Sequence, residues 1–387
     1  MVGGGPAGAS AAACLARRGW RTALIEASEF GGFRYGETLA PEVNPLLAEA
    51  GFAEAFITLA PGYALECPGT VSTWGTGHPS EVDFVANAFG SGWHVDRAAF
   101  DRCLFEAAGV AGATLVPGTR IAEVRREPGT EAGSGRGLWR LATAAEPGEL
   151  RAGFLVVATG QQRLRGLRSS SAGHRRRQID TLLAVMARVS ELPGQLADLR
   201  TAVEAAADGW WYSARLPQAG GVVMFFTDAE VLRNPPSSLT AQAATAPRAE
   251  AMLGQGRLVE ARTLAARSGI ECEVAGPGWL AAGDAAAAYD PISGWGVVKA
   301  LREGIAAAEA VDGHLSGDAA AIPAYGELLR RSFAAYRHRR RAVYADSTRW
   351  ADNGFWQRRL ASTSGSTVTS DPGRRAHAAH ETGGRTQ

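Results

Sequence analysis

GGGPAG, residues Gly3 to Gly8, stands near the head of the chain behind Met1 and Val2, and its reading decides the fold. Gly3, Gly5 and Gly8 have the spacing of a G-x-G-x-x-G turn. Such a turn lets the backbone approach a pyrophosphate, whose charge then meets the N-terminus of the next helix. Ala9 to Arg18 has the composition of that helix, and Thr22 to Ile25 form a short β-run ending in Glu26, where a ribose-binding carboxylate belongs. Glycine turns also end helices and build hairpins, but helix, strand and acid in register favour a dinucleotide site. The predicted fold class is therefore α/β, with a Rossmann-like cofactor domain. Of the strand that should precede Gly3, only Val2 is present. The expectation is a late start codon or a fragment edge and, if the start is genuine, weakened cofactor binding, because this strand is central to a sheet buried on both faces.

Composition narrows the partners. At 387 residues and 46% hydrophobic content, the chain can bury one large core or two joined ones. Forty basic against thirty-nine acidic residues leave a formal charge of +1. That balance gives no electrostatic case for nucleic acid or an anionic membrane, so small molecules or proteins are the expected partners. Cys14, Cys67, Cys103 and Cys272 are scattered without a CxxC pair, which points to buried reduced thiols and to no metal site. No stretch reaches the length of a membrane span and no basic, apolar secretion signal opens the chain, so the cytoplasm is the expected compartment. Lys299 is the only lysine.

Three stretches come together as a predicted discontinuous cofactor domain: residues 1–62, 91–162 and 275–320. Within them lie a helix-like run from Glu42 to Ala50, strands at 113 to 127 and 138 to 145, and the apolar run Phe154 to Ala158 closing in Thr159 and Gly160. A helix from Val297 to about Val311 is predicted after Gly296. Residues 63–90 and 163–274 are assigned to an inserted α+β substrate domain, with strands at 181 to 190, 209 to 216 and 221 to 227 and a helix over 239 to 253. The arginine-rich stretch 163 to 177 reads as a solvated surface run, with docking of an acidic partner as the alternative. Residues 321–361 are predicted as C-terminal helices, and 362–387, polar and aperiodic, as a disordered tail.

GGGPAG with Glu26, VVATG at 156 to 160, and AAGDAAAAYDPISGWG at 281 to 296 together resemble flavoprotein monooxygenases of the para-hydroxybenzoate hydroxylase fold. The resemblance implies FAD as cofactor. Gly3, Gly5, Pro6, Ala7, Gly8 and Glu26 would serve the nucleotide end, and Gly160 would also belong to the cofactor site. Gly283 and Asp284 would bind the ribityl or pyrophosphate part, and Pro291, Gly294 and Gly296 would line the ring. Arg97, in the HVDR segment, matches a family arginine that reaches the FAD, and Glu37 sits in the GETL segment that packs near the flavin. Either could instead be a structural ion pair.

Within this superfamily the chain is similar to LodB-like flavoproteins, which modify a protein tryptophan during cysteine tryptophylquinone maturation, and to flavin-dependent halogenases. GETLAP, GWWYSARLP and YDPISGWGVVKAL carry the LodB-like side. Halogenases need a lysine in the substrate tunnel and a WxWxIP motif. Here Trp210, Trp211 and Tyr212 run into Ser213, Ala214 and Arg215, and Lys299 does not match the catalytic position, so halogenation is disfavoured.

The implied chemistry is reduction of FAD, capture of dioxygen as a C4a-hydroperoxide, and oxygen transfer to an electron-rich aromatic ring. The substrate expected from the resemblance is a tryptophan of a partner protein. NAD(P)H and a separate flavin reductase both stand as electron source. Candidate catalytic residues are His94 as acid or base, with a packed histidine as the alternative, Trp211 in the substrate sheet, with a core role as the alternative, and Pro291 at the ring. Three further readings are a small-molecule aromatic hydroxylase, a prenyl-lipid type flavin reductase, and a maturation chaperone that holds FAD without using it.

Overall fold

A computed structural model describes residues 1–127, 137–144, 148–167, 176–194, 198–232 and 239–361. The predicted tail at 362–387 and most of the arginine-rich stretch lie outside them. Small residues set the first layer. The helix Pro6–Arg17 begins with proline at its first position, where the missing N–H costs nothing, and is buried from Pro6 to Leu15. Its alanines allow the helix Gly296–Leu315 to pack closely: a Cβ on Gly304 would lie 2.1 Å from Ser10 Oγ and 2.3 Å from the carbonyl of Ala7. Gly304→Ala is therefore expected to destabilise the fold by about 1–3 kcal/mol. Denaturant unfolding with an unchanged m-value is the check, and wild-type stability would refute the close contact.

The parallel sheet of this layer is built around Val2. Thr114–Val116 pairs in parallel with Ala23–Ile25, and Leu155–Val157 pairs in parallel with Trp279–Ala281. Val2 bridges Ile25 on one side and Val157 on the other, both parallel. One residue thus occupies the central-strand position named above. The predicted strand over 113 to 127 is two elements, Thr114–Val116 and Ile121–Glu127, because Pro117 and Gly118, with φ of 64° at Gly118, turn the chain between them. The helix Ala53–Tyr63 and the strands Thr201–Ala206 and Arg257–Ala265 were not foreseen, and residues 321–361 carry the helices Ala321–Asp346 and Gly354–Leu360.

A seven-stranded sheet forms the second layer. Its order is Arg257–Ala265, Leu183–Ser190, Gly220–Thr227, Gly209–Leu216, Thr201–Ala206, Gly69–Thr73 and Ser80–Asp83. Alternation along Gly209–Leu216 sends Trp210 to one face and Trp211 to the other. Trp210 joins Trp74, Met186, Tyr344, Phe355 and Trp356, beneath the C-terminal helices. Trp211 stacks on Phe225 at 4.6 Å in a separate cluster with Ala249 and Met252 of the helix Pro247–Gln255. No helix among the described residues is long and apolar enough to cross a membrane.

Candidate functional site

The glycine turn has two kinds of glycine. Gly3 has φ of 107°, and a Cβ there would lie 2.2 Å from the carbonyl oxygen of Ala158; a Cβ on Gly8 would lie 1.9 Å from that of Gly3. These two glycines let backbones meet. Gly5, at the helix N-cap, faces open space, with no atom within 4 Å of its hypothetical Cβ. No side chain caps this N-terminus, and its first turn carries no acid. Unfilled N–H groups and the positive end of the dipole therefore face an opening that a pyrophosphate would fit. Glu26 lies beside it, its Oε2 accepting from the Gly4 N–H at 2.7 Å and its Oε1 from Ser28.

The N-terminus of the helix Gly296–Leu315 also lacks a side-chain cap. Gly294, in the left-handed region at φ 62°, and Gly296 leave the approach to it open. Gly283, at φ 65°, comes within 3.0 Å of the Ala7 side chain through its hypothetical Cβ, so the AAGD segment abuts the glycine turn. Asp284 is partly exposed and pairs with Lys299 at 3.4 Å. Lys299 is buried between Asp284 and Glu303, the latter at 3.3 Å and also accepting from the Gly283 N–H. Burial pushes the Glu303 carboxyl up, against the pull of Lys299. The residues present therefore fit FAD: two open helix ends, a ribose-side acid, and glycines where main chain must approach a ligand. Gly160, with φ of 62° and open space around its Cβ position, follows the adjoining strand.

Buried ion pairs shape the loops. Asp290 caps the turn Pro291–Ser293 through Oδ1 and accepts at Oδ2 from Arg340 Nε at 2.8 Å and from the Tyr344 hydroxyl at 2.9 Å. Arg340 also pairs with Asp180 at 3.0 Å, and Trp210 Nε1 donates to the Tyr344 hydroxyl at 3.1 Å. The helix Ala321–Asp346 thereby ties the segment carrying Pro291 to the second sheet. Pro291 itself is exposed. Arg97 forms an ion pair with buried Asp101 and donates to the carbonyls of Tyr35 and Gly36. It braces the loop that carries Glu37, which is the ion-pair alternative.

His94 is fully buried and bonded at both ring nitrogens, Nδ1 to Thr38 Oγ1 at 2.9 Å and Nε2 to the Leu199 carbonyl at 2.8 Å. Thr38 contacts the Tyr212 hydroxyl at 2.6 Å, and Tyr212 donates to Glu37 in a short hydrogen bond. Burial, the largest single effect, opposes charge on Cys67, but the hydrogen bond to and charge of His94, with the Thr201 hydroxyl and Gly69 backbone, together outweigh it and bring the thiol down to about 7. Burial likewise opposes charge on His94, yet Cys67 and the Leu199 carbonyl push it up. The structure thus gathers Glu37 and His94, and adds Thr38, Cys67 and Tyr212. Trp211 stands on the far side of the sheet from this group. Tyr212 could have been singled out from strand alternation: within GWWYS it shares the face of Trp210, not of Trp211.

No family model matches the chain. It is 27% identical to LodB of Marinomonas mediterranea, named as an FAD-dependent oxidoreductase, over 93% of this chain and 96% of that protein. The chain is a homologue of the FAD-dependent oxidoreductases. Among solved structures it resembles the flavin-dependent halogenase CmlS, with a TM-score of 0.76 at 24% identity over 94% of this chain and 67% of that one. It also resembles the peptidyl tryptophan dihydroxylase QhpG, described as essential for tryptophylquinone cofactor biogenesis. There the TM-score is 0.72 at 23% identity, over 94% of this chain and 78% of that one. The oxidoreductase homologue thus has the α/β fold that halogenases and hydroxylating flavoenzymes share, with helices closing its C-terminal end.

Proposed function

We propose that this FAD-dependent oxidoreductase homologue is a monooxygenase that hydroxylates an aromatic ring, its substrate a tryptophan in a partner protein. Gly3, Gly5, Gly8 and Glu26 would hold the nucleotide end of FAD, and Asp284 with the Pro291–Gly296 segment the flavin end. FAD supplies the chemistry of dioxygen activation once reduced. The protein's own residues bind it, hold its two ends against helix N-termini, and brace the Glu37 loop through Arg97 and Asp101.

The observation that carries oxygenation over halogenation is the burial of Lys299, the chain's only lysine, between Asp284 and Glu303. A lysine held in a double ion pair has its ammonium engaged and is not free to carry an electrophilic halogen. The likeness to LodB over nearly the whole of both chains, and to QhpG in fold, supports a peptidyl tryptophan as the ring.

The test supplies the FAD-loaded protein with a flavin reductase, oxygen, chloride and bromide, and offers a tryptophan-containing peptide or free tryptophan. Mass spectrometry should show oxygen added to the peptide. A halogenated product would refute the reading. Oxygen consumed with no modified ring would favour the flavin reductase alternative.

A further inference from the structure

The contacts around Tyr212 pose a hydrogen-counting problem. Three consecutive contacts link Glu37 to Tyr212, Tyr212 to Thr38, and Thr38 to His94 Nδ1. Each needs one hydrogen. The two hydroxyls supply one each, so the third must come from an end of the row, from Glu37 as a carboxylic acid or from His94 Nδ1–H. At the far side of the ring, Nε2 faces the Leu199 carbonyl, which only accepts, so Nε2 carries a hydrogen in either case.

With the hydrogen at one end the row is imidazolium and carboxylate, and with it at the other it is neutral imidazole and carboxylic acid; the Gly36 N–H, which donates to Glu37 Oε2 at 2.9 Å, suits both. Burial opposes charge on His94, but Cys67, the Leu199 carbonyl and Glu37 together push it toward the doubly protonated form. The whole row is buried or partly buried, and register places Thr38 directly opposite His94 across the strand pair. Cys67, from the neighbouring strand Ala64–Cys67, faces the ring, and Thr201 contacts Cys67 at 3.6 Å.

We propose that Thr38 and Tyr212 form a proton relay that stores one proton on His94 and delivers it to Glu37. In the transfer, the His94 Nδ1–H bond breaks as a Thr38 O–H bond forms. Thr38 passes its own hydrogen to the Tyr212 oxygen, and Tyr212 passes its own to the Glu37 carboxylate. The row begins as imidazolium and carboxylate and ends as neutral imidazole and carboxylic acid, with both hydroxyls restored and charge conserved. The use of this proton rests on the oxygenase reading: reducing dioxygen consumes protons, and a dry site must hold them ready. His94, Thr38 and Tyr212 act through Glu37 and are positioning residues.

The test follows His94 directly, by nitrogen NMR of protein labelled at histidine, with the signal assigned by His94→Gln. In the wild type both ring nitrogens should remain protonated above the ordinary histidine range. Tyr212→Phe keeps the ring but removes the central hydroxyl, so Thr38 can turn its hydrogen to Nδ1 and His94 should become the neutral Nε2–H form. Thr38→Val should uncouple the ends, and Thr38→Ser should restore the wild-type spectrum. In the FAD-loaded protein, Tyr212→Phe should slow the oxygen reaction about a hundredfold, the lower range for positioned proton transfer. The same variant should also shift its pH profile. A wild-type His94 that is neutral, or that titrates identically in Tyr212→Phe, overturns the relay whatever the catalytic result. Intact NMR behaviour in a protein that does not react with oxygen would instead overturn the oxygenase reading and leave the proton store standing.

Discussion

Gly5→Asp is expected to leave the protein folded while lowering its affinity for FAD at least about a hundredfold. Gly5 already has extended backbone angles, φ −73° and ψ −176°, and open space at its Cβ, so the new side chain meets no clash. Aspartate is a better N-cap than glycine by a few tenths of a kcal/mol, and its charge suits the helix dipole, so unfolding should become slightly harder. The same carboxylate would occupy the opening that the FAD pyrophosphate needs. Two like charges about 4 Å apart repel by about 4 kcal/mol in partly buried surroundings, which exceeds the loss named here. Thermal melting and FAD fluorescence titration of the same preparations separate the two effects. Unchanged affinity would move the pyrophosphate away from this helix. Gly8→Ala makes the contrasting case, because its Cβ would collide with the Gly3 carbonyl and the damage should appear in the melt itself.

Arg340→Met should cost about 3–5 kcal/mol of stability, the range for removing one partner of a buried ion pair. Arg340 is the cation between two buried carboxylates, Asp180 and Asp290. Burial already pushes Asp180 up, with Asp290 adding to the effect and Arg340 opposing it. Removing Arg340 raises Asp180 further above its unfolded value of about 3.9. A carboxyl that binds its proton more tightly when folded is at its most favourable below the unfolded value and loses stability as pH rises toward the folded one. The variant should therefore be least impaired in acid and most impaired at neutral pH. Denaturant unfolding across that range tests it, and a penalty that does not change with pH would mean that the arginine acts through packing alone.

How much of this was legible in the sequence depended on distance along the chain. The glycine turn, its helix, the β-run and Glu26 form one contiguous unit whose spacing reports its geometry, and the second sheet's strands at 183 to 190, 209 to 216 and 220 to 227 announced themselves through apolar and aromatic runs. Arg257–Ala265 did not, because an exposed edge strand rich in charged residues lacks the burial contrast that marks a strand. Within the candidate site, His94 and Glu37 stood out as polar residues in distinctive segments. Thr38, Cys67 and Tyr212 gained meaning only when a register pairing and a crossing between sheets brought positions 38, 67, 94 and 212 together. The bracing of Asp290 was hidden for the same reason, since nothing near it in sequence names Arg340 or Tyr344 as its partners.

That bracing sets an order of events during synthesis. Asp290, which holds the turn at Pro291, takes its two side-chain partners from residues 50 and 54 positions later. Chains emerge from the ribosome N-terminus first, so the turn at Pro291 is made before the helix that anchors it. Under the proposed assignment of Pro291–Gly296 to the ring of FAD, that segment would gain its anchor only when the last long helix has left the exit tunnel, and a chain stalled before Arg340 would lack it.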